Sequence, residues 1–140
     1  MADFLDGLAR HCEVRGLLTY DETAASGDTF IESMPSSPDT VIVFTIYGGG
    51  ESDSLLGYDE PNVQLRVRGT KNPKISRQRC AAIRDELHGL GPVVLPDGTQ
   101  LILSVALQAA PASMGVDSVG RHEHVCNFRM EIRNITTHRV

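Results

Sequence analysis

The chain has 140 residues, 41% hydrophobic and 22% charged, which fits one domain burying about 68–70% of its unfolded surface. Those proportions exclude a disordered, collagen-like or coiled-coil chain, and no run approaches the ~20 apolar residues of a membrane span. The net charge of −5 is the reverse of the clustered basic excess that duplex DNA binders carry.

The three cysteines, Cys12, Cys80 and Cys126, stand far apart without metal-ligand spacing, and read as buried thiols in a reducing compartment. The first six residues are acidic and lack a basic segment, so no secretory signal is expected.

In chain order, residues 3–16 read as a helix. Asp3 caps it, Phe4, Leu5, Leu8 and Cys12 recur at helical spacing, and Gly16 ends it. Residues 19–28 are small and polar, a flexible loop. A short strand is expected at Thr29 to Glu32, then an irregular stretch set by Pro35 and Pro38. Val41 to Tyr47 is β-branched and aromatic, as in a strand covered on both faces. Gly48-Gly49-Gly50 ends it and opens an acidic loop that runs into Pro61. From Asn62 to Gly69, Val63, Leu65 and Val67 alternate with Gln64, Arg66 and Arg68, the pattern of a strand with one face in the core.

Asn72-Pro73 is a helix start, and Ile75, Ala82, Ile83, Leu87 and Leu90 form its expected apolar stripe. The turn at Pro96-Asp97-Gly98 joins a short strand over 93–95 to a longer one over 99–108, with Leu101, Leu103, Val105 and Leu107 on one face. Residues 109–120 read as a flexible excursion or arm. The last strand, 123–135, turns Cys126, Phe128, Met130 and Ile132 inward and Asn127, Arg129, Glu131 and Arg133 outward. Helices separated from a hairpin-rich sheet define an α+β class: one mixed, mostly antiparallel sheet with two main helices packed on it, a single domain over 1–140.

Four constellations bear on chemistry. His122 and His124 share a face of an extended segment and would suit a metal, but no further ligands have suitable spacing, and the simpler reading is the solvated start of a strand. Gly48-Gly49-Gly50 follows a strand as a phosphate loop does, yet Glu51 and Asp53 follow it and would repel phosphate. The stretch from Gly115 to Gly120 misses the nucleophile-elbow pattern by one position. Asp59-Glu60 sits in an acidic loop with no apolar pocket signalled around it, so it reads as surface charge, not an acid/base pair. Arg66, Arg68, Arg129 and Arg133 lie on outward strand faces, and with Glu51, Asp53, Asp59 and Glu60 they would allow head-to-tail contacts between copies.

From Phe30 to Gly50 and again from Tyr58-Asp59 through Pro61 to Gly69, the chain resembles the minor capsid or tail terminator proteins of long-tailed bacteriophages. The shared features are Met34-Pro35, Pro38-Asp39, the buried strand ending Tyr47-Gly48-Gly49, and Val63-Gln64-Leu65-Arg66-Val67-Arg68-Gly69, followed by a helix and strands. The resemblance spans roughly residues 1–135. It implies a non-enzymatic virion subunit without cofactor, forming a ring, typically of six. The ring caps the tail tube, stops its growth and meets the head–tail connector. Genomic DNA passes through unbound, no membrane is involved, and assembly takes place in the host cytoplasm. On that basis Arg66, Arg68, Arg129, Arg133, Asp59 and Glu60 are expected at subunit contacts, and Glu51 and Asp53 at the channel. The alternatives are a head–tail adaptor or other neck protein and, more distantly, a small metal-binding domain or enzyme using His122 and His124.

Overall fold

The structure, a computed structural model, describes residues 3–140; Met1 and Ala2, which the sequence reading includes in its domain, lie outside the described residues. The described residues form two helices and eight strands. Helix α1 (Phe4–Val14) starts where Leu5 N–H donates to Asp3 Oδ1 at 3.0 Å. Strand β1 (Thr29–Ile31) leads to β2 (Val41–Tyr47), β3 (Tyr58–Asp59) and β4 (Asn62–Arg68). Helix α2 (Pro73–Leu87) begins at Asn72, whose side chain accepts from Lys74 N–H at 3.1 Å. Strands β5 (Val93–Val94), β6 (Gln100–Ala106), β7 (Ala112–Val116) and β8 (His122–Arg133) complete the chain.

The sheet runs β1-β2-β4-β8-β6-β5, with β3 and β7 each paired to β8, and every pairing is antiparallel except β1 with β2. Twelve residues long, β8 is the spine of the sheet. Phe4, Leu5, Leu8 and Cys12 of α1 and Cys80, Ile83 and Leu87 of α2 pack with Phe44, Leu65, Phe128 and Met130 of the strands in one core cluster. Desolvating these apolar side chains is the main term holding helices to sheet. This is the expected α+β architecture, with both capping residues where the sequence places them.

The face away from the helices is not plain solvated surface. Val41, Val43 and Val125 are buried there, outside the main core cluster, and cross-strand rows put Val41 beside Arg68 and Glu123, and Val43 beside Arg66 and Val125.

Four local expectations are corrected. The buried residues of α2 are Ser76, Cys80, Ile83 and Leu87, while Ile75 and Ala82 are exposed. A stripe at i, i+4, i+7 and i+11 leaves no room for them, and two small polar or sulfur side chains hid it from an apolar count. In β6, a register shift between Leu101 and Leu103 breaks the alternation, so Leu101 and Ser104 point inward while Leu103 and Leu107 are exposed. Gly91 lies against that bulge: at φ 128° it brings a missing Cβ position within 2.2 Å of Ile102 O, so only glycine fits. Residues 109–120, expected as an excursion or arm, contain strand β7, paired antiparallel with the start of β8. The acidic loop before Pro61 contains β3, paired with the end of β8.

The glycine run after β2 does serve as a sharp exit. Gly49, at φ 120°, passes so close to Glu60 that a Cβ would sit 2.3 Å from its carbonyl oxygen. The loop over 19–28 is organised by Asp21, whose carboxylate accepts from Thr23 N–H and Oγ1 and from Ser26 N–H and Oγ. Those donors hold its pKa down at about 2.

Candidate assembly surfaces

Arg66, Arg129 and Arg133 stand on the outward faces of β4 and β8 as expected, but each already has a partner within the chain. Arg66 bonds Glu123 across the strand pair. Arg129 lies 3.6 Å from Glu60, both half-exposed. Arg133 donates to Val140 O at 3.0 Å and lies over the Tyr58 ring at 4.6 Å.

Arg68 departs from its expected exposure. It is 4% exposed, and its Nε and Nη2 donate to Asp39 O at 3.0 Å and Pro38 O at 2.7 Å. Burial, with Arg121 nearby, lowers its pKa from the ordinary arginine value. The reason is topological: Arg68 ends β4 beneath the irregular segment around Pro38, whose carbonyls have no strand partner and take a guanidinium instead. Arg121 secures the same segment, donating to Ser36 O at 2.7 Å and Asp39 Oδ1 at 3.1 Å while pairing with Asp117 at 2.7 Å.

The acidic loop divides in two. Asp59 is clamped by Arg139 through two bonds of 2.7 and 2.8 Å and accepts from Asn134 Nδ2 at 3.0 Å. The Arg139 donors hold its carboxyl well below the usual range. Arg139 also donates to Asn134 O, and Val140 N–H donates to Leu55 O, so the C-terminal segment ties down the loop. The sequence reading missed Arg139, since no periodicity or motif marks it. Asp53 accepts from Leu55 and Leu56 N–H at 2.8 and 2.7 Å, an Asx turn. Glu51 is exposed, as is Leu55 at 72%.

His122-Glu123-His124 is not the solvated start of a strand. Glu123 and His124 are buried. His124 Nδ1 shares a 2.7 Å hydrogen bond with Ser76 Oγ, joining α2 to β8. Burial lowers its pKa below the ordinary 6.5, with Arg77 and His122 adding to the effect, which favours the uncharged ring. No group of three or more His, Cys, Asp or Glu among the described residues is arranged to hold a metal ion. Cys80 and Cys126 lie with their sulfurs 3.7 Å apart inside the core. That thiol contact and burial raise the Cys80 pKa. The segment from Gly115 to Gly120 closes the β7–β8 hairpin, with Asp117 accepting from Val119 and Arg121 N–H, so Ser118 stands on a turn and not on a strand-to-helix elbow.

These features define an α+β domain whose conspicuous charges fasten loops to a sheet. A search of curated proteins returns no match. The family model for the bacteriophage tail terminator protein matches residues 14–134, and the chain belongs to that family. Membership gives it a structural role in phage tail assembly, as a virion component in contact with other tail or head proteins. No helix among the described residues is long and apolar enough to cross a membrane.

Proposed function

We propose that the chain assembles into a homo-oligomeric ring of six copies that caps the tail tube. Capping stops tube polymerisation and leaves a surface for the head–tail connector, without catalysis or cofactor. The family match across residues 14–134 carries this reading. Assembly takes place in the host cytoplasm before the ring is built into the virion. In this arrangement Glu51 and Asp53 border the channel, where carboxylates deny DNA the counterion release that a basic wall would offer. Their repulsion acts within about 8 Å at physiological salt. Arg66, Arg129 and Glu60 are exposed enough to contact neighbours, whereas Arg68, Asp59 and Arg133 are engaged within the chain.

Adding purified protein to polymerising tail tube protein tests the reading. Tube lengths measured by electron microscopy should stop increasing once the protein is present at one ring per tube. Unchanged growth would refute it, and binding to head connectors without effect on tubes would favour an adaptor.

A further inference from the structure

Two open edges of the sheet, those of β1 and β7, lie in one transverse row. Phe30 of β1 pairs with Val43, Val43 with Arg66, Arg66 with Val125, and Val125 with Ala112 of β7. Four strand spacings separate the ends of that row, roughly 19 Å. β7 is exposed at all five residues and pairs only with β8. β1 pairs with β2; on its outer side Thr29 N–H donates to Thr19 O at 3.2 Å beside the bridge to Tyr20, which leaves the outward backbone groups of Ile31 open among the described residues. Following directions across the sheet, β7 runs opposite to β1. A second copy in the same orientation would therefore present β1 antiparallel to β7.

Charge separates along the same line. Near the β7–β8 turn and along the start of α2, Lys71, Lys74 and Arg77 are exposed, and none makes an ion pair among the described residues. Lys71 lies against Gly120 of the β7–β8 turn, and Arg77 is close enough to lower the His124 pKa. The first turn of α2 holds no acidic residue, although the positive end of the helix dipole favours one. Beside β1 opens a cavity of about 430 Å³ rimmed by Asp3, Asp6, Asp21 and Glu22, where Glu22 pairs with Arg10 at 2.9 Å but the carboxylates outnumber that one cation, with Glu32 exposed at the strand's end. Like edges would repel, basic on basic and acidic on acidic. Only unlike edges complement one another, which is the geometry of a head-to-tail contact that closes into a ring.

We propose that β7 of one copy adds antiparallel to β1 of a second copy of this chain, with Lys71, Lys74 and Arg77 set against the carboxylates rimming the β1 edge. The contact continues the sheet from subunit to subunit; it rests on the ring reading above and supplies its interface.

Two charge-reversed proteins test it by native mass spectrometry. One carries Lys71→Glu, Lys74→Glu and Arg77→Glu, which place acid where the helix dipole favours it and spare the fold. The other carries Glu22→Lys and Glu32→Lys, both at exposed positions. Each alone should lose at least ten-fold in assembled fraction relative to the unaltered chain. An equimolar mixture should recover assembly as an alternating ring, because the introduced carboxylates of one protein then face the introduced lysines of the other. Circular dichroism confirms folding of both. Assembly of either variant alone at the unaltered level, or failure of the folded mixture, overturns the proposal.

Carbodiimide cross-linking, on free protein and on protein bound to tail tubes, keeps the two readings apart. Intermolecular links from Lys71 or Lys74 to Glu22 or Glu32 are expected. Protein that caps tubes without those links contradicts this interface and leaves the terminator reading standing; protein that neither self-associates nor caps tubes contradicts both.

Discussion

At the scale of single residues, exposure decides what a charge does. Arg68 looks in sequence like Arg66, two positions away on the same strand face. Its guanidinium nevertheless supplies donors to two carbonyls of the segment above it. Arg68→Met should cost about 1–3 kcal/mol in urea unfolding, since two carbonyls lose the charged donor that the buried guanidinium supplies. Arg129→Met, removing a half-exposed pair, should stay within about 0.5 kcal/mol. Equal effects would contradict the assignment. Ser104 makes the opposite case. Its hydroxyl is buried without a hydrogen-bond partner in the structure, so Ser104→Ala should be neutral or stabilising by up to about 1 kcal/mol. A clear loss of stability would show that the hydroxyl has a partner after all.

His124 adds a pH dependence. Its pKa in the folded chain lies below the ordinary 6.5, so the unfolded chain takes up a proton first as pH falls. Its contribution to stability is therefore complete above about pH 6.5 and declines as pH drops through and below that value. Asp28, Asp59 and Glu86, all held below their ordinary values, add losses only below about pH 5. Unfolding midpoints from pH 8 to 5 should show the first decline, and His124→Gln should flatten it. An unchanged slope in that variant would assign the dependence elsewhere.

At the scale of elements, what was legible in the sequence is what repeats locally. Both helix starts could be read because Asp3 and Asn72 cap through bonds to N–H groups two residues on. β2, β4 and β8 could be read because burial follows the alternation or the unbroken apolar run. The misses come from long-range geometry. A bulge in β6 changes which side chains point inward, and no local pattern announces it. β7 is short and exposed throughout, Met114 and Val116 included, so no buried alternation marks it as a strand; it forms because β8 extends beyond β6 and offers it a ladder. Ser76 and Cys80 face the core without looking like core residues. The Arg139–Asp59 clamp joins residues far apart in the chain, which spacing arguments cannot reach.

At the scale of the whole molecule, the excess of acid over base is unevenly spread. Most arginines are spent fastening loops, while the cations left free gather near the β7–β8 turn and carboxylates gather beside β1. A subunit with unlike edges is suited to head-to-tail closure. An assembly held partly by such pairs weakens as salt screens them, so its midpoint concentration should rise between 50 mM and 500 mM sodium chloride; no change would argue for a purely apolar contact.

The most direct test of the account is electron microscopy of tail tubes grown with this protein. A single six-fold ring of the chain at one end of each tube, with tubes of uniform length, is the predicted result. The chain distributed along the tube wall, or absent from tubes that go on lengthening, would contradict it.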